Sequence, residues 1–136
     1  MIKQIAIGTL VIAVTVAVQA EMFNLLGHRF ERIVLVLRHV LRRFANTGAI
    51  TVGVLYIMLI QTINVWIWAS VFIIVGAFDS LEPALYFSLV SFTTVGFGDI
   101  TLGHEWRLLS ALTAANGFLS FSWSAAYMVE LVRRTT

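Results

Sequence analysis

The chain has no cysteine, a single proline, and charged residues at only 12% of its 136 positions. Without cysteine there can be no disulfide and no thiolate metal site, although the compartment stays open. Its three histidines, His28, His39 and His104, are scattered without ligand spacing, so no metal centre is expected. No nucleophile–base pair and no phosphate-binding loop is found either. An enzyme, a cofactor and a nucleic-acid partner are therefore not expected. What remains is apolar: 60% of the residues are hydrophobic, which is the composition of a membrane protein.

A helix needs about 20 apolar residues to cross roughly 30 Å of hydrocarbon. Three segments reach that length. Ile5 to Ala20 is uncharged and extends to Leu26 if Glu21 sits near the interface. Ala49 to Phe78 carries no charge and would be roughly 45 Å long as a helix, so it must tilt or project. Leu108 to Val129 is the third, bounded by Arg107 and Glu130. Between the first two, Phe30, Ile33, Val34, Leu37, Val40, Leu41 and Phe44 recur at helical spacing, and Arg29, Arg32, Arg38, Arg42 and Arg43 are interleaved with them. That pattern predicts a basic amphipathic helix in the membrane surface, facing anionic lipid. A voltage sensor is the sharper alternative. Leu35 and Leu41 break the arginine register, and no acidic helices precede it to pair with moving arginines.

Thr94-Val95-Gly96-Phe97-Gly98-Asp99 stands apart from this greasy background. For successive carbonyls to face one side, the backbone must enter regions that side chains resist, and glycine enters them at little cost. The threonine adds a hydroxyl oxygen beside them. A dinucleotide loop would need glycine where Thr101 stands, and no Gly-Lys-Ser/Thr follows. The longer run from Ser91 to Gly98, with Trp106-Arg107 opening the next segment and Gly117 ten residues on, resembles the potassium-channel pore family. The resemblance covers Thr47 to Val132.

That resemblance implies an all-α membrane protein. Its parts are an outer helix, a re-entrant pore helix (Ala84 to Thr93) with a selectivity filter, and an inner helix. Before them come an N-terminal transmembrane helix (residues 1–27) and the basic interfacial helix (28–46), with the pore domain at 47–136. Pro83 suits the first turn of the pore helix, Asp79 or Ser80 its cap. The resemblance also assigns potassium coordination to the carbonyls of Thr94, Val95, Gly96 and Phe97, with Gly98 permitting the turn. Filter support goes to Ser91, Thr93, Asp99 and Tyr86, the gating hinge to Gly117, and the cavity lining to Phe118, Phe121 and Ala125. Phe97 stands where tyrosine is commoner, and Val90 where some relatives keep a carboxylate. One loop per chain implies a homotetramer. A poorly selective cation channel and a non-conducting accessory subunit are the alternatives.

The first segment also fits a signal peptide, with Lys3, an apolar core and Val18-Gln19-Ala20. Its removal would put Arg29 to Arg43 outside the cell and turn the filter inward. Left in place with an external N-terminus, it sends every arginine except Arg107 to the cytoplasmic side, as the positive-inside rule requires. A cytoplasmic membrane protein with a cytoplasmic C-terminus is expected, and lipid is the expected controlling signal.

Overall fold

The computed structural model describes residues 1–135; Thr136, which closes the 47–136 span, lies outside the described residues. Four α-helices make up the fold: α1 (Ile2–Leu41), α2 (Ala45–Ile74), α3 (Leu81–Phe92) and α4 (Arg107–Thr135), with a 3-10 turn at Arg42–Phe44 joining the first two. No strand occurs among the described residues. The run from Ile2 to Ile74 is long and apolar enough to cross a membrane.

The N-terminal transmembrane helix and the basic helix, expected as two pieces meeting at residue 28, are one. α1 has 40 residues and is about 60 Å long, twice the hydrocarbon thickness. Gly27 alone does not end it, because its turn packs beside Tyr127 and no proline or cap follows. The stripe assigned to the membrane surface is divided. Phe30 and Val34 are buried against Ala49, Ile57 and Leu131, with Ile33 and Leu37 partly buried beside them. Val40, Leu41 and Phe44 remain exposed. Because α2 begins at Ala45 and not at Ala49, it offers its own apolar surface to the second half of α1. The chain reverses at Arg42, whose φ of 43° is left-handed.

α1 and α4 run parallel in register. Gln4 lies beside Leu108, Thr15 beside Asn116, and the rings of Phe23 and Tyr127 stack at 4.2 Å. α2 runs antiparallel to both: Tyr56 donates to the Met22 carbonyl at 3.1 Å and Gln61 to Ser124 at 2.6 Å. Small residues let the backbones approach. A side chain at Gly53 would come within 2.8 Å of Leu131, and one at Gly8 would strike Leu112. Lipid tails are as apolar as leucine, so packing and polar contacts, not hydrophobicity, hold membrane helices together.

Mid-bundle, the polar side chains converge. Gln19 (α1), Gln61 and Asn64 (α2), and Ser120 and Ser124 (α4) are all buried and bonded to one another. Each such bond contributes about 0.6 kcal/mol in a membrane, up to about 1.7. Val18-Gln19-Ala20, the possible cleavage site, therefore falls mid-helix with Gln19 at the centre of the packing.

α3 wedges between the outer halves of α2 and α4. Phe87 meets Phe72 edge-on at 5.2 Å, and Phe92 lies 5.7 Å from Phe121. α2 stops in time to admit it because Gly76, at φ 74°, closes the helix: its amide donates to Ile73 and the next amide, Ala77, to Phe72. Ser80 takes the N-cap position of α3 in extended conformation, but its side chain makes no capping bond.

Candidate functional site

α3 ends at Phe92, and the chain from there to α4 borders a pocket in which Gly96, Gly98 and Ile100 face Val90 and Ser91 of α3 and Arg107 and Ser110 of α4. Thr93 closes the helix through its amide to Leu89 (3.0 Å) and its hydroxyl to the same carbonyl (2.7 Å). The next three amides also point back to the helix end. Thr94 donates to the Ser91 carbonyl at 3.0 Å, and Val95 and Gly96 both donate to the Val90 carbonyl, at 3.1 and 3.2 Å. The N–H groups are thus held on the α3 side. No hydrogen bond to the carbonyl oxygens of Thr94, Val95, Gly96 or Phe97 occurs among the described residues.

The backbone alternates. φ is 61° at Thr94, 58° at Gly96 and 78° at Gly98, while Val95 and Phe97 between them do not share the positive sign. In an ordinary strand successive carbonyls face opposite ways. A change of handedness at every residue turns them toward the same side. For the two glycines this conformation is inexpensive. For Thr94, a β-branched residue, it costs on the order of 1–3 kcal/mol, a strain of the kind found at working sites. The segment is bare in one chain: Val95 is 54% exposed and Phe97 71%.

Of the supporting residues, Ser91 is buried and supplies the carbonyl for Thr94. Tyr86 donates its hydroxyl to Asp99 at 2.7 Å, spanning the outside of the segment. That bond, then the amides of Asp99 and Ile100, hold the Asp99 carboxyl below its usual range. A carboxyl with a depressed pKa keeps its charge as pH falls until the lowered value is reached. Tyr86→Phe removes the largest of these causes, so Asp99 in that variant should protonate at a higher pH. Acid should then inhibit ion flux at a higher half-point in Tyr86→Phe than in the unaltered protein, as a pH titration of flux reads directly; coincident curves would refute the strut.

Gly117 lies within unbroken α4 and is buried. A Cβ there would collide with the Phe92 carbonyl oxygen at the end of α3. The structure thus gives the expected hinge residue a packing role: it lets α4 touch the base of the α3 turn. Phe118, Phe121 and Ala125 lie further along α4 and are exposed, on the side not taken up by α1 and α2. The basic residues gather at the far end from this loop. Arg134, paired with Glu130 at 3.0 Å, shares a cleft with His28 and Glu31 of α1. At the near end Lys3 sits 5.6 Å from the Trp106 ring centre. Arg29 and Arg32 line a groove with Ile33, Val36, Leu37 and Val52.

Sequence reading missed the Val90 carbonyl, which receives two amides, the strain at Thr94, and the polar contacts of α1. A backbone acceptor leaves no trace in residue types. The strain could have been inferred from the alternation that Gly96 and Gly98 already suggest.

A family model for ion channels matches residues 50–134. The chain belongs to this ion-channel family, and it is a membrane protein and a channel, not an enzyme. No curated protein and no solved structure matches it. The matched span opens five residues into α2 and takes in α3, the alternating segment and nearly all of α4. α1 lies outside it.

Proposed function

We propose that the protein is a potassium-selective channel in which four copies surround one axis, with Thr94 to Gly98 of each supplying a quarter of the filter. The reading rests on the alternation of φ from Thr94 to Gly98, with the amides held by the end of α3. Four such segments would present rings of carbonyls in place of the water shell of K⁺. The Thr94 hydroxyl adds the innermost oxygen. A fourfold assembly would also cover Val95 and Phe97, and it would set Phe118, Phe121 and Ala125 around a cavity. α3 aims its negative C-terminal end at that cavity. Gly117 is the point at which α4 would pivot below it.

The N-terminus lies at the filter end and every arginine except Arg107 gathers toward the other, which supports an external N-terminus and a cytoplasmic C-terminus in the cell membrane. The groove of Arg29 and Arg32 and the exposed Val40, Phe44, Arg42 and Arg43 of the hairpin tip suit the phosphates and tails of anionic phospholipid.

The test is rubidium uptake by vesicles containing the purified protein alone, with sodium as competitor and barium as blocker. Uptake blocked by barium and indifferent to sodium is expected, several-fold faster in anionic than in neutral vesicles. Uptake that sodium suppresses would make it a poorly selective channel; none in either lipid would make it an accessory subunit. Equal uptake in both lipids would dispose of lipid control.

A further inference from the structure

α1 is no part of the family match, yet its first half is fastened to α4 from Leu108 to Tyr127. Near the start, the Gln4 side-chain oxygen accepts the Leu108 amide at 3.0 Å, capping the first turn of α4. One residue before Gly117, Asn116 donates to the Thr15 hydroxyl at 2.7 Å, and Thr15 donates onward to the Ile12 carbonyl at 2.9 Å. Three residues after Gly117, Ser120 becomes the hub of the mid-bundle cluster. Its carbonyl accepts from Gln19 at 3.1 Å, from Gln61 at 3.4 Å and from the Ser124 hydroxyl at 2.8 Å. Its hydroxyl, with one proton to give, donates to the side-chain oxygen of Gln19 or to that of Gln61, both within reach. Asn64 adds its amide to the Gln19 oxygen at 3.3 Å.

Gln19 uses both ends of its amide, and every partner is itself buried: Gln19 is 1% exposed, Asn64 0%, Ser120 5% and Ser124 3%. In surroundings without water a broken bond leaves a bare donor or acceptor, so the cluster resists partial opening. α4 is therefore gripped on both sides of Gly117, above by Thr15 and below by Gln19. A helix gripped at both flanks of a pivot cannot bend there until one grip opens. The lower grip has somewhere to go. Asn64 Oδ1, and one turn further along α2 the Trp68 ring N–H, are buried without a partner, so a displaced donor finds an unused acceptor within the cluster.

We infer that Gln19 is a positioning residue for conduction, fixing the half of the inner helix below Gly117 and so setting the open fraction of the pore. The inference builds on the channel reading. α1 is on this view a working part of each subunit's inner wall and not an appended anchor.

The test uses Gln19→Met, which keeps length and shape but forms none of the amide bonds. Two quantities are read: the distance distribution between spin labels at Val129→Cys across the assembled protein, and the open probability of single channels. Gln19→Met should broaden the label distances and change open probability at least tenfold, with the K⁺-to-Na⁺ permeability ratio within twofold of the parent. The double variant Gln19→Met/Ser120→Ala should differ from Gln19→Met alone by less than Ser120→Ala differs from the parent, because the partners act together. Should Gln19→Met fail to assemble, Ser124→Ala, which removes one hydroxyl from the cluster, is read the same way with a smaller shift expected. Parent-like distances and open probability, or a variant that only unfolds at lower temperature, would overturn the proposal. If the unaltered protein passes no rubidium, the channel reading falls; the label distances still judge the grip of α1 on α4.

Discussion

Gly96→Ala should abolish rubidium uptake while leaving the oligomer assembled. A Cβ at Gly96 would meet nothing within 4 Å in its own chain, so crowding is not the obstacle. The obstacle is φ at 58°. A left-handed L-residue costs roughly 1–2 kcal/mol. In the proposed fourfold ring that sums to about 4–8 kcal/mol, which lowers the population of the all-inward arrangement by roughly three to six powers of ten. Thr94 already carries a comparable strain next but one along the chain, so little margin remains. The loss should be confined to conduction, because the α2–α3–α4 packing lies behind the segment and not within it. Uptake at a tenth of the parent rate or better would show that Gly96 does not need its left-handed backbone for conduction.

Gly117→Ala should fail in the opposite way, by loss of assembly. The residue sits in regular helix, and one methyl group there would run into the Phe92 carbonyl oxygen. The obstacle is backbone, which cannot rotate aside as a side chain does. Overpacking a close-fitted site costs about 1–3 kcal/mol, and the value here belongs at the upper end, repeated in every subunit. Either α4 withdraws or the end of α3 is displaced, and the end of α3 carries the amide acceptors Val90 and Ser91. The yield of intact oligomer and its heat resistance should both drop. If glycine were needed at this position only for flexibility, Gly117→Ala would assemble normally and differ only in gating, so the measurement separates packing from bending.

The glycines and the single proline marked the left-handed turns at Gly96 and Gly98 and the first turn of α3 in the sequence. Such residues mark backbone geometry directly, and the helices came out close to expectation: Leu81–Phe92 for Ala84 to Thr93, and Arg107–Thr135 for the apolar segment Leu108 to Val129. The family match over residues 50–134 agrees with the span from Thr47 to Val132 that the resemblance covered. Tyr86 and Asp99 meet as the family pattern suggests. The course of α1 was not legible. A period-of-four pattern of apolar and basic residues looks the same whether the apolar face meets lipid or another helix, and the Phe30–Val34 stretch meets α2. Nor did hydropathy reveal which side of α1 packs inward. In water the buried stripe is the greasy one; here it contains Gln4, Gly8, Thr15 and Gln19. These weaken the hydrophobic signal at the very positions where the helix is held.

Three long helices per subunit is an odd number, and oddness has a practical outcome. Met1 begins beside the start of α4, and Thr135 ends it, about 43 Å away at the opposite extremity of the bundle. In the orientation proposed above, with all three long helices crossing the bilayer, copies fused head to tail would need each joining peptide to traverse the lipid, where an unfolded strand leaves its amides and carbonyls stranded. On that reading, tandem copies of residues 1–135 work only with an additional hydrophobic helix spliced between successive units.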